Sequence, residues 1–181
     1  TTGDWEGATL AESDDTGDAR EPSVVINDAG DRLIFWFQAF NDSSLTGNYY
    51  DFYSSATDSW TGPTFLTELP FSNNEYLGKL RDGRFAIATQ SEAGGVDRVE
   101  WWMFDPVSLS WTTTGTIQAS ATEDAVLPKF SQAGDGTIFI AWFQEPQSAV
   151  YDVYANRYDP VTETWGTPVV LENLTGSANP L

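Results

Sequence analysis

The chain has 181 residues and a net charge of −19, from 27 acidic and 8 basic side chains, and contains neither cysteine nor histidine. Such a charge repels nucleic acid and anionic lipid, and the two missing residue types exclude disulfides, Ser-His-Asp or Cys-His catalysis and histidine-based metal sites. Eight Trp, seven Tyr and eleven Phe are too many aromatics for a disordered chain, while the longest apolar runs, Leu33–Phe37 and Ile138–Phe143, fall far short of the ~20 residues of a membrane helix.

The sequence opens at Thr1 without a signal-peptide pattern, as a processed or excised product would. Its first element is a short outer strand over residues 4–11 that contains Trp5. An acidic stretch follows, and Asp14, Asp15 and Asp18 within it are candidate oxygen ligands for Ca²⁺, the one cofactor the chain suggests. The stretch lacks the ordered spacing of an EF-hand loop, so a solvated loop is the favoured reading. Three periods come next, over 19–71, 72–122 and 123–175, in a single domain spanning 1–181. Each reads as four short strands, A to D, rich in aromatic and β-branched residues and punctuated by Gly, Pro, Asn and Asp. The first period gives Ser23–Asn27, Leu33–Phe40, Tyr49–Ser54 and Trp60–Thr67. The second gives Tyr76–Leu80, Arg84–Gln90, Arg98–Phe104 and Trp111–Gln118. The third gives Leu127–Ser131, Ile138–Phe143, Tyr151–Tyr158 and Trp165–Leu171. No stretch has a sustained helical period with caps, so no helix is predicted.

The periods are tied together by recurring phrases. Trp5, Trp60, Trp111 and Trp165 each follow a polar residue, and Asp105-Pro106 and Asp159-Pro160 each stand six residues before their Trp. A Gly next to Asp precedes each B strand, the composition of a tight hairpin turn. Strand B is apolar on both faces, as in Leu33-Ile34-Phe35-Trp36-Phe37. A sheet covered on one side alternates apolar with polar; a sheet apolar on both sides needs another packed on each face. Stacked propeller blades supply that arrangement, and a period near 50 with four strands suits blade-type repeats. The predicted fold class is therefore all-β: about three four-stranded antiparallel β-propeller blades plus an extra N-terminal outer strand, an incomplete ring within one chain.

Turn glycine, apolar strand B and then Tyr-Asp-Pro followed by Trp resembles the kelch and bacterial-neuraminidase-type repeats of secreted bacterial propellers. The resemblance covers nearly the whole chain and implies architecture, not activity. Two departures stand beside it: only Gly94-Gly95 is comparable with the kelch glycine pair, and the repeat aspartates Asp105 and Asp159 reach their Trp without the glycine of the sialidase Asp-box.

Several side chains are candidates for function. The four repeat tryptophans could be sugar-stacking platforms, although wedges between blades are the favoured reading. Gln38, Gln90 and Gln144 end their B strands, where the B–C and D–A loops share one face. They could ring the channel mouth as amide donors and acceptors for a ligand, although amides that only satisfy strand ends near the surface are the favoured reading. Glu123 and Asp124 belong to the same set of loops. With 27 acids in the chain, no carboxylate pair is singled out for glycoside hydrolysis, and the chain is read as a non-enzyme. Three blades are too few to close a ring and leave apolar blade faces open. The expectation is a non-catalytic, self-assembling extracellular or cell-surface module that binds a protein or glycan, as a homo-oligomer, a polymer or part of a larger propeller. The alternatives are a filament or surface-layer subunit built by strand donation from Trp5–Leu10, and a fragment of a glycan-active propeller enzyme.

Overall fold

The computed structural model describes residues 17–40, 45–66, 76–147 and 150–172. Among them there is no α-helix, and so none long and apolar enough to cross a membrane. Blade 1 comprises β1 (Asp18–Ile26), β2 (Arg32–Ala39), β3 (Gly47–Ser54), β4 (Ser59–Trp60) and β5 (Thr64–Phe65). Blade 2 comprises β6 (Tyr76–Lys79), β7 (Phe85–Glu92), β8 (Asp97–Asp105) and β9 (Ser110–Thr116). Blade 3 comprises β10 (Ala125–Gln132), β11 (Ile138–Gln147), β12 (Val150–Asp159), β13 (Thr164–Trp165) and β14 (Val169–Val170). Each is an antiparallel meander, open at its edges, in which strand order follows chain order. The described residues form an open array of three propeller blades.

Local chemistry sets the hairpins. Gly30, Gly83 and Gly136 have φ of 88°, 93° and 92°, and each donates its N–H to the carbonyl three residues earlier, at 3.0–3.1 Å. Only glycine takes that conformation without a Cβ penalty. The C–D turns share a second device. Asp58, Leu109 and Glu163 are left-handed, with φ near 53°. A hydroxyl pair brackets each one: Thr57–Ser59 at 2.9 Å, Ser108–Ser110 at 2.7 Å and Thr162–Thr164 at 2.8 Å. The carboxylates of Asp105 and Asp159 accept the N–H of Val107 and Val161, both at 2.8 Å. The repeat aspartates and the polar residue before each Trp are thus turn-forming groups.

The outer strands depart from the sequence expectation. The runs Trp60–Thr67 and Trp165–Leu171 are each broken into two short pieces, β4 with β5 and β13 with β14. Pro63 and Pro168 fall in the breaks, because proline cannot donate to a ladder; blade 2 has threonines there and keeps one strand, β9. Broken outer edges also resist edge-to-edge pairing. The inner strands begin earlier than expected, at Asp18 and Ala125. A bulge between Arg20 and Ser23, and another between Val126 and Lys129, lets pairing continue. The bulge residues Glu21 and Leu127 are left-handed and each precedes a proline.

Side-chain parity decides what packs between blades. In β7, Phe85 and Ile87 turn back toward blade 1, where they meet Leu33, Phe35 and Phe52. Ala86 and Ala88 turn forward and, with Trp101 and Met103 of β8, meet Phe130, Ile138, Ile140 and Trp142 of blade 3. Blade 2 is therefore apolar on both faces because it is covered on both. Trp111 sits between blades 1 and 2, its ring 5.5 Å from Tyr50, and Trp165 sits between blades 2 and 3, 5.4 Å from Trp101. Both act as wedges. Trp60 occupies the same position on the back of blade 1 and is 43% exposed, and Trp5 lies outside the described residues.

Asp51 of β3 stands opposite Ile34, where blade 3 places Asn156 opposite Ile140. It is almost fully buried. Burial pushes its carboxyl above the usual range, against hydrogen bonds from the Thr61 hydroxyl at 3.1 Å and the Gly62 N–H at 2.9 Å. A pKa raised by folding means that the ionised form costs stability at neutral pH, and that the cost fades as pH falls through the folded value. Asp51→Asn keeps the acceptor and removes the charge, so at pH 7 it should gain on the order of 1 kcal/mol. The gain should disappear near about pH 3, where Asp51 is protonated in both folded and unfolded chains. Urea midpoints of both proteins at the two pH values check this.

Candidate functional site

The ends of the strands opposite the A–B turns carry the B–C and D–A loops, and the best-built group there lies where blade 2 meets blade 3. The D–A connection after β9 is shaped by Gln118, whose Oε1 accepts the Val99 N–H at 2.9 Å while its Nε2 donates to the Ser120 carbonyl at 2.8 Å. Gln144, fully buried at the end of the apolar part of β11, ties this loop to blade 3. Its Oε1 accepts the Trp142 indole N–H at 3.1 Å and the Ala119 N–H at 3.0 Å, and its Nε2 donates to Glu123 at 2.8 Å. Asp124 accepts the Asp97 N–H on its carboxylate and the Glu145 N–H on its carbonyl, both at 2.8 Å.

Two tyrosines stand in this acidic group. Tyr151 hydrogen-bonds Glu145; burial pushes its pKa up, and the charges of Glu145, Asp124 and Asp97 push it further. Tyr154 is raised by burial and then by Glu123 and Asp152. Its ring stacks on Trp142 at 6.1 Å and 18°. Both phenols remain protonated donors at neutral pH, set among carboxylate acceptors.

The three strand-end glutamines do not form one ring. Gln38 and Gln144 stand eight residues after their turn glycine, whereas Gln90 stands seven after Gly83. One residue of offset turns a strand side chain to the opposite face. Ser91 takes the position equivalent to Gln38 and Gln144, and Gln90 faces forward. There its Oε1 accepts the N–H of Leu127 at 3.3 Å, at the bulge before Pro128. Gln38 repeats the arrangement of Gln144: it accepts the Trp36 indole N–H at 3.0 Å, and Trp36 stacks on Tyr49 at 5.9 Å. Counted from the turn glycine, Gln90 is thus not equivalent to Gln38 and Gln144.

Of the candidate Ca²⁺ ligands, Asp14 and Asp15 lie outside the described residues. Asp18 accepts Nε and Nη2 of Arg20 at 2.9 and 2.6 Å. Among the described residues no three acidic side chains gather as a metal site. At the opposite end of the blades, a cavity of about 420 Å³ is lined by Asp28, Lys79, Leu80, Arg81, Gln132, Ala133 and Gly134. An ion pair between Asp28 and Lys79 spans part of it and holds Asp28 below the usual carboxylate range.

Glu123 and Asp124 were legible as loop acids in the sequence. Asp97, Glu145, Tyr151 and Tyr154 were not, because no recurring phrase marks them; Glu145 and Tyr151, the acid and the aromatic that flank the B–C turn of blade 3, are the signal that could have found the site.

No protein-family model matches the chain, and no curated protein matches it in sequence. The likeness to kelch and neuraminidase-type repeats therefore rests on the repeat phrases alone. Solved structures do share the fold. A glycosyl hydrolase from Bacteroides ovatus superposes with a TM-score of 0.53 at 15% identity, over 89% of this chain and 51% of that one. A polysaccharide lyase, ulvan lyase, gives 0.55 at 9% identity, over 82% of this chain and 42% of that one. A structure from the mannoside-phosphorylase family that contains glycoside hydrolases of β-1,2 mannosidic linkages gives 0.53 at 14%, over 89% and 50%. The chain spans about half the length of these proteins, and what it shares with them is the propeller fold.

Proposed function

We propose that this chain is a non-catalytic carbohydrate-binding part of an extracellular β-propeller, with its ligand at the junction of blades 2 and 3. The observation that carries the reading is the convergence of Tyr151, Glu145, Glu123 and Asp124 on one loop face. Phenol donors beside fixed carboxylate acceptors match the alternating donors and acceptors of sugar hydroxyls. Glu123 and Asp124 are each tied to the framework by a hydrogen bond, which suits positioning better than proton transfer. A net charge of −19 favours uncharged or cationic sugars and disfavours sulfated or uronate-rich chains.

Calorimetry with neutral oligosaccharides and with sulfated ones tests this. Binding of a neutral glycan, weakened at least about tenfold (~1.4 kcal/mol) by Tyr151→Phe and by Glu145→Gln at unchanged thermal stability, is the expected result. Unchanged affinity in both variants, or preference for a sulfated chain, would end the proposal.

A second reading, part of a glycan-active enzyme, draws support from the Tyr151–Glu145 pair and from the fold shared with such enzymes. Glycoside turnover that vanishes in Glu145→Gln would put it in place of the first. The filament reading is less well supported. Strand donation from Trp5–Leu10 requires a blade without a fourth strand, and each described blade already has one.

A further inference from the structure

Blade 2 departs from its neighbours on the face that it turns back toward blade 1. Ser91 stands where blades 1 and 3 have Gln38 and Gln144, and Thr89 where they have Trp36 and Trp142. In blade 3 the Gln144 amide spans the junction with the blade before it, accepting the Ala119 N–H at 3.0 Å and donating to Glu123 at 2.8 Å. A serine is too short to repeat that reach, so in blade 2 the place of the amide is not filled from this strand. Opposite Ser91 in register is Arg98, where blade 3 has Asp152 opposite Gln144 and blade 1 has Gly47 opposite Gln38. Residues directly opposite in an antiparallel pair share a face, their Cβ atoms about 5 Å apart. Phe85 and Ile87, on that same face, pack on blade 1. Ser91 and Arg98 therefore belong to the junction of blades 1 and 2, at its loop end.

Both side chains lack what burial demands. Ser91 is 1% exposed and its Oγ has no hydrogen-bond partner. Arg98 is partly buried, and its Nε is shielded from solvent and equally without a partner. The ion pairs among the described residues join Arg20 to Asp18, Lys79 to Asp28, and Arg84 to Asp82 and Glu163; Arg98 takes part in none. Glu100, two residues along the same face, accepts the Trp102 indole N–H at 3.1 Å. Orphaned buried donors and an unpaired guanidinium each carry a cost that an anionic acceptor removes. In a chain with 27 acidic side chains, an arginine left without one is open to an acid from outside.

We propose that Ser91 and Arg98 form a binding site for a single carboxylate at the junction of blades 1 and 2. The edge of a guanidinium offers two parallel N–H donors, Nε and an Nη, which match the two carboxylate oxygens. The Ser91 hydroxyl supplies a third donor. One cation within a net charge of −19 suits one negative charge and opposes phosphate dianions or chains of acidic sugars. The site lies on the opposite face of blade 2 from the junction with blade 3, so its test is independent of the ligand proposed there.

Acetate is the probe, added to the isotope-labelled chain at neutral pH and fixed ionic strength and followed by NMR at the arginine Nε–H signals. The signal that Arg98→Lys removes should shift and saturate with millimolar acetate, and chloride at equal concentration should leave it in place. Ser91→Ala should weaken acetate about tenfold. Without acetate the same variant should keep or raise its melting temperature, because it deletes a buried hydroxyl that has no partner. Ser91→Gln should supply the amide that blade 3 has and leave the Arg98 signal indifferent to acetate. An Arg98 signal unmoved by acetate, an equal response to chloride, or a Ser91→Ala protein less stable than the parent without acetate would each overturn the proposal.

Discussion

Trp101→Ala should remove about 3–5 kcal/mol of folding stability, the range for truncating a large aromatic in a packed core. Trp101 is fully buried. Its ring meets Phe130 edge-on at 4.8 Å and Trp165 at 5.4 Å, so it joins the inner and outer strands of blade 3 to the centre of blade 2. Trp60→Ala is the control, expected to cost under about 1 kcal/mol in the single chain because an exposed side chain loses little transfer free energy. Denaturant unfolding of both variants checks the contrast. Equal losses would contradict the interblade packing described above.

Gly78→Ala should cost about 1–3 kcal/mol, because it overpacks a tight contact. A Cβ on Gly78 would lie 2.5 Å from Cζ and 2.9 Å from Cε2 of Phe130. The ring has little room to retreat, held as it is by Trp101 and by Tyr76, 5.1 Å away and edge-on. Phe130→Ala alone should cost about 3–5 kcal/mol, but in the double variant the clash is gone. The double variant should therefore be more stable than the sum of the single losses predicts, by at least about 1 kcal/mol. Strict additivity in a double-mutant cycle would show that the two inner strands do not touch as described.

Much of the architecture was legible because it follows from local rules. Gly30, Gly83 and Gly136 announce hairpins, and apolar runs on both faces of strand B demand sheets on both sides. Trp111 and Trp165 recur in the sequence and pack between blades, and Asp105 and Asp159 recur as acceptors of turn N–H groups. The register of blade 2 was harder. Gln90 resembles Gln38 and Gln144 in type and approximate place, yet one residue of offset sends it to the other face, where it satisfies the Leu127 N–H. The broken outer strands were within reach of the sequence, since Pro63 and Pro168 fall in them, but the apolar residues around each proline suggest a single strand.

The candidate site was the least legible part. Its carboxylates and tyrosines come from β8, the loop before β10, and the strands flanking the β11–β12 turn, positions spread over about a third of the chain. No spacing rule links Asp97 to Asp124 or Glu123 to Gln144.

Read alone, the amino-acid order determined the number of blades, the strand sequence within each and the need for sheets on both faces, because turn chemistry and alternation act between near neighbours. Only the tertiary structure decided which face each residue takes, which tryptophans are covered and which loops meet. Those outcomes depend on registers and contacts between strands far apart in the chain, where a shift of one residue inverts a whole face.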